Sequence, residues 1–127
     1  MKGVIKGIEH TAIAAVDIAA LADWYVKTLG FVINYSSANA TFVKAPDGTM
    51  IEIIRAEGDR GAQTMKTPGV RHLALAVDDF DTAYALLQSK GVTFVGEPLE
   101  SKGNKVVFFT DPEGNYLHLL YRATPLP

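Results

Sequence analysis

The sequence predicts an α+β fold assembled from two copies of one β-α-β-β-β unit, and three observations carry that expectation. The first is an internal repeat: GIEHTAIAAVD at 7–17 and GVRHLALAVDD at 69–79 agree at five of eleven positions, at an offset of 62 residues. The second is a further match, APDGTMIEII at 45–54 with DPEGNYLHLL at 111–120, at an offset of 66. The second copy is therefore four residues longer between the two matches, most simply in the loop around Gly96–Asn104. The third is the order of patterns within each copy: an alternating apolar run, an amphipathic helical stretch, then three more short apolar runs, with periods of two and 3.6 in turn. Two copies are too few for a solenoid, which leaves a duplicated supersecondary unit.

Each element has a local reason. In the first strand Ile8, His10, Ala12 and Ala14 share one face, and Thr11, Ile13 and Ala15 the other, because successive side chains of a strand alternate. Asp17 precedes Ile18, Leu21, Tyr25 and Leu29, and Gly30 follows them; these are the start and stop signals of an amphipathic helix. Its spacing assigns Trp24 and Tyr25 to the core. Strands over 31–36, 40–45 and 49–55 follow, with Pro-Asp-Gly at 46–48 turning the chain between the last two. Residues 56–68 are charged, glycine-bearing and aperiodic, and read as a connector. In the second copy Val70, His72, Ala74 and Ala76 oppose Leu73, Leu75 and Val77, and Asp78 or Asp79 caps a helix with Phe80, Ala83, Leu86 and Leu87 on its apolar face, closed by Gly91. Strands over 92–95, 105–110 and 115–122 complete it, with Pro-Glu-Gly at 112–114 as the matching turn. One helix covers one face of each sheet, so the other face must bury itself or line a cavity. Residues 1–127 are read as a single domain, with modules at about 5–55 and 69–122 joined by the connector 56–68.

Composition excludes several classes of function. Twelve basic against fourteen acidic residues leave a net charge of -2, without the basic excess of a nucleic-acid-binding surface. Zero cysteines remove disulfides, thiolate metal sites and cysteine nucleophiles together. Asp17, Asp23 and Lys27 interrupt the richest apolar stretch, so no membrane span is expected. MKGVIKGIEH has no apolar core of a secretory signal, and a cytoplasmic protein is expected. No Gly-x-Ser-x-Gly elbow and no phosphate- or dinucleotide-binding glycine pattern occurs.

The ionisable residues of interest sit at repeat-related positions. His10 and His72 correspond at the first offset, and Glu52 and His118 at the second. Both strand-one histidines lie on the face with small neighbours, which leaves the space a ligand requires. Glu52 stands mid-strand in TMIEIIR and His118 in NYLHLLY; a carboxylate there is costly to bury unless paired or bound to a cation. One strand histidine alone carries little meaning, whereas joint placement of all three with Glu52 does. If a pseudo-twofold axis relates the halves, the four converge on one divalent ion of Zn, Ni, Fe, Mn or Co, with open positions for water or substrate. Lys102 and Lys105 flank Gly103-Asn104; this loop is either a solvated turn or a cover that holds an anionic substrate.

The segments IEHTAIAAVDIAALADWYVKTLGF, MIEII, GVRHLALAVDDF and FTDPEGNYLHLL resemble the vicinal oxygen chelate superfamily, over residues 5–121. That group includes glyoxalase I, bleomycin resistance proteins and extradiol dioxygenases. The resemblance implies two βαβββ modules forming a cupped, partly open barrel around a divalent metal, and a homodimer. It places the metal ligands at His10, Glu52, His72 and His118, with Glu52 or His118 available as catalytic base. His-Glu-His at the first three positions looks like glyoxalase I, where the fourth ligand is glutamate rather than His118. Ala14 and Ala56 stand where that enzyme has the arginine and asparagine that hold glutathione. The expected function is therefore a metal-dependent lyase or isomerase acting on a small molecule with adjacent oxygens, not a glutathione adduct. The alternatives are an Fe(II)-dependent dioxygenase and a non-catalytic small-molecule binder.

Overall fold

A computed structural model describes residues 3–127, which divide into two units at the Gly58–Asp59 boundary. The first unit runs β1 (His10–Ala15), α1 (Ile18–Leu29), β2 (Val32–Ser36), β3 (Ala40–Lys44) and β4 (Met50–Arg55), with sheet order β1-β4-β3-β2. β1 lies parallel to β4, and the other pairs are antiparallel. Parallel neighbours cannot be joined by a tight hairpin, and α1 forms part of the long return path. Its start is set by Asp17, whose carboxylate accepts the Ala20 N–H at 3.0 Å. It stops at Gly30, whose φ of 78° is a left-handed conformation that costs glycine little. The core is Leu21, Ala22 and Tyr25 of the helix against Ile13, Phe31, Val43, Ile51 and Ile53. Removing each large side chain from water contributes about 1.5–3 kcal/mol. Tyr25 is fully buried and Phe31 is buried beside it, whereas Trp24, edge-on to the Tyr25 ring, is only half-buried. Of the two aromatic residues expected in the core, Tyr25 lies there and Trp24 sits at its margin.

The second unit repeats the plan with β5 (His72–Ala76), α2 (Phe80–Ser89), β6 (Thr93–Phe94), β7 (Leu99–Ser101), β8 (Asn104–Thr110) and β9 (Tyr116–Tyr121). β5 is parallel to β9, which pairs antiparallel with β8. Asp79, not Asp78, caps α2: it accepts the Thr82 N–H at 3.1 Å and the Thr82 hydroxyl at 2.7 Å. Those two bonds hold its carboxyl below the usual carboxylate range. Phe80 and Leu87 bury, while Leu86 remains 50% exposed. The wider difference from expectation lies at 96–104. Two short strands, β6 and β7, share the far edge of β8, where β2 occupies the equivalent edge of the first sheet. Leu99-Glu100-Ser101 has no apolar alternation to announce a strand, and it is held by backbone pairing to 104–106 through a two-residue turn.

The segment after Gly58 contains no helix or strand before β5, and its side chains tie it to the second unit. Arg60 donates to the Glu113 carbonyl at 3.0 Å and to Asn115 Oδ1 at 2.9 Å, and Arg71 donates to Gln63 Oε1 at 3.0 Å. The 111–115 turn is itself fixed by Asp111, whose Oδ1 accepts the N–H groups of Glu113 and Asn115. Among the described residues no helix is long and apolar enough to cross a membrane.

Two substitutions check this account by urea denaturation. Asp17→Ala is expected to cost about 1 kcal/mol, whereas Asp17→Asn costs little, because asparagine caps as well as aspartate. Leu117→Ala, in the fully buried centre of β9, is expected to cost about 2–5 kcal/mol through the cavity it leaves.

Candidate functional site

The strand register builds one pair of candidate ligands in each unit. In the first, Ala12 of β1 lies opposite Glu52 of β4, and Phe42 of β3 lies opposite Glu52 on its other side. His10 is two residues along the same face of β1, and its Nε2 comes within 3.5 Å of Glu52 Oε1. Its Nδ1 stands 3.0 Å from Glu9 Oε1, and its ring meets Phe42 edge-on at 5.3 Å between centroids. The second unit repeats this arrangement: Ala74 lies opposite His118, and Phe108 opposite His118 from β8. The His72 and His118 rings lie 4.6 Å apart. Phe108 stands against both, at 5.6 Å and 4.8 Å.

The two pairs differ in exposure. The side chains of His10 and Glu52 are 36% and 25% accessible, and His72 is exposed. His118 is buried at 7%. Burial lowers its pKa from the ordinary 6.5, the nearby charges of His72 and Arg122 lower it further, and its bond to the Leu119 carbonyl opposes them. That bond, 3.2 Å from Nδ1 to the Leu119 oxygen, requires a proton on Nδ1, because a carbonyl only accepts. Neutral His118 therefore carries its lone pair on Nε2, the form in which imidazole binds a metal or takes up a proton.

The donor sets fit a divalent ion in kind. Two donors bound at about 2.1 Å to one ion stand roughly 3–3.4 Å apart, close to the 3.5 Å between His10 Nε2 and Glu52 Oε1. Each unit assembles two donors. Among the described residues no three His, Cys, Asp or Glu side chains gather as a metal-holding group.

The second pair opens onto a cavity of about 540 Å³ within its own unit, walled by Ala74, Val106, Phe108 and Leu120 with the β7–β8 hairpin at one side. The phenylalanines were not among the residues singled out from sequence. A signal for them exists: Phe42 and Phe108 are 66 residues apart, the same offset that relates Glu52 to His118.

Residues 7–119 match the Glyoxalase/Bleomycin resistance protein/Dioxygenase superfamily. The chain belongs to this superfamily. Its two mixed sheets, each with one helix and a parallel outer pair, are the superfamily's fold. The uncharacterized protein YaeR of Escherichia coli strain K12 is 30% identical over 130 residues, covering 91% of this chain and 95% of YaeR. Among solved structures, the oxidase ChaP-H2 is 28% identical with a TM-score of 0.71, covering 91% of this chain and 93% of its own. A glyoxalase family protein from Enterococcus faecalis is 27% identical with a TM-score of 0.76, covering 91% and 97%. The superfamily includes lyases and dioxygenases, so membership narrows the chemistry without selecting one.

The His118 environment has a measurable consequence. Its depressed folded pKa means that the unfolded chain binds this proton more readily. Its contribution to stability is thus complete above about pH 6.5 and is lost as the pH falls through the folded value. In chelator-treated protein, the parent is expected to lose more stability than His118→Gln between pH 7.5 and 5. Urea midpoints at the two pH values check this, and the His118 ring resonances should titrate below the ordinary midpoint.

Proposed function

We propose that the protein is a divalent-metal-dependent lyase or isomerase, acting as a homodimer on a small molecule with two adjacent oxygens. The proposed ligands are His10, Glu52, His72 and His118, holding Zn, Ni, Fe, Mn or Co. The observation that carries this reading is the duplicated half-site: in each unit a histidine and a second donor stand side by side on parallel strands, against a phenylalanine from the third.

A cation in such a set supplies Lewis acidity toward two neighbouring substrate oxygens. The chain's own groups supply the rest. His118 serves either as fourth ligand or as base: off the ion, its Nε2, left with the lone pair by the Nδ1 bond to the Leu119 carbonyl, takes a proton from a carbon next to a carbonyl. Glu52 is the second candidate base, at a matching register position but more exposed. Phe108, Val106 and Leu120 keep the cavity side of His118 apolar, which strengthens electrostatic interactions there. Ala14 and Ala56 offer no side-chain donor for a glutathione carboxylate or amide, which supports a substrate outside that class.

The likeness to an oxidase, 28% identical over 91% of this chain, favours a second reading: an Fe(II)-dependent dioxygenase using the same donors.

Metal titration by calorimetry and elemental analysis tests the site. The parent is expected to bind one ion per site. Glu52→Ala and His72→Ala should each weaken binding by about 100-fold or more, beyond the loss typical of residues that only support a ligand. Stoichiometric metal surviving both substitutions would overturn the assignment. Turnover that proceeds at full rate without oxygen supports the lyase or isomerase; strict dependence on oxygen with Fe(II) supports the second reading.

A further inference from the structure

The wall of the second unit's cavity is chemically lopsided. Its floor is apolar, formed by Val106, Phe108 and Leu120 beside His72 and His118. Its rim carries Lys102, from the turn between β7 and β8, and Arg122, just past the end of β9. The one carboxylate at this rim is Glu100, which lies directly across the strand pair from Lys105. Lys105 Nζ also stands 3.6 Å from Asp81. The rim therefore sets two cations, Lys102 and Arg122, against one carboxylate, with Ser101 and Asn104 as its neutral polar groups.

Lys102 is placed there against its backbone preference. Its φ of 54° makes it the one non-glycine residue with positive φ among the described residues, in a position of a two-residue hairpin that favours Asn, Asp or Gly. Lysine in such a conformation is strained, and strain of this kind concentrates at functional sites. The turn is also clamped to the chain beside Arg122. Asn104 Oδ1 accepts the Ala123 N–H at 3.0 Å, and a Cβ added at Gly103 would lie 2.9 Å from the Ala123 Cβ. These two contacts fix the residues that follow Lys102 against the residue that follows Arg122, so both cations are held at one rim.

We propose that this rim selects a substrate carrying a carboxylate on an apolar body, with Lys102 and Arg122 as the specificity-determining residues. The body lies along Val106, Phe108 and Leu120, and the far end reaches His72 and His118. Only the role of that far end rests on the metal site proposed above. Arg122 can meet a carboxylate through two parallel N–H bonds, while Lys102 acts as a point charge. A volume of about 540 Å³ accommodates a small organic acid of this kind.

The test compares phenylacetate with phenylacetamide, a neutral probe of nearly the same shape, titrated into the full, metal-free chain and followed by amide NMR. Phenylacetate is expected to bind about 5- to 10-fold tighter at low salt. Its shifts should centre on residues 102–104 and 122, and the preference should shrink as salt screens the charges. Lys102→Asn keeps a residue suited to the turn, so its unfolding midpoint should equal or exceed the parent's while about half of the preference, in free-energy terms, is lost. Arg122→Gln should lose a similar share, and the double variant should bind both probes alike. Equal binding of the two probes by the parent, or full preference retained in the folded Lys102→Asn variant, would overturn the proposal. A Zn2+ titration of the same samples reads the metal site separately. A chain that prefers phenylacetate without binding Zn2+ upholds the rim and defeats the metal reading; one that binds Zn2+ without discriminating does the reverse.

Discussion

In each unit, the parallel pairing of the first strand with the last sets the position of everything else. Ala12 opposite Glu52, and Ala74 opposite His118, bring a histidine from one end of the unit's sequence beside a donor from the other. The pairing also divides the sheet faces. Ile13, Ile51 and Ile53 face the helix in the first unit, as do Leu117 and Leu119 in the second, and their burial fixes the register. A slip of one residue would move every aliphatic side chain out of the core and every ligand candidate into it. The core thus specifies the site, because both are read from the same alternation.

The two half-sites share a plan and differ in polarity. The first pair is a histidine with a carboxylate, partly open and flanked by Glu9. The second is a pair of histidines, one of them buried and held in a single tautomer by a backbone carbonyl. A carboxylate contributes negative charge toward a cation, and a neutral imidazole contributes none. Duplication therefore produced one arm with a carboxylate and one with imidazoles alone. The imidazole arm is the one beside the cavity's apolar floor, where an unpaired carboxylate would carry a large desolvation cost.

The second unit also departs from the first at the sheet edge. Where β2 runs along β3, two shorter strands share the edge of β8, and the hairpin between β7 and β8 becomes a cavity wall. The four extra residues of the second copy are accommodated there. The added chain brings Lys102 to the rim that Arg122 reaches from the end of β9, and the positive φ at Lys102 is confined to a two-residue turn locked against Ala123.

Much of this was legible in the sequence, because the signals are local or periodic. Asp17 and Gly30 bound α1 as expected, the faces of β1 and β5 follow from alternation, and the offset of 66 pairs Glu52 with His118. The same offset held Phe42 and Phe108 in plain view. Other features escaped it for definite reasons. β7 is stabilised by backbone bonds to β8, and backbone pairing leaves no trace in side-chain periodicity. Leu86 satisfies the helical pattern yet remains exposed, because periodicity records amphipathicity and not what covers it. By itself, then, the sequence determined the duplicated α+β plan, the superfamily resemblance and the residue types offered as ligands. Only the tertiary structure decided that His10 stands beside Glu52 and His72 beside His118, that burial keeps His118 neutral, and that Lys102 and Arg122 share a rim. Those are relations between strands distant in the chain, fixed by parallel register and by contacts across a turn, and no local preference encodes them.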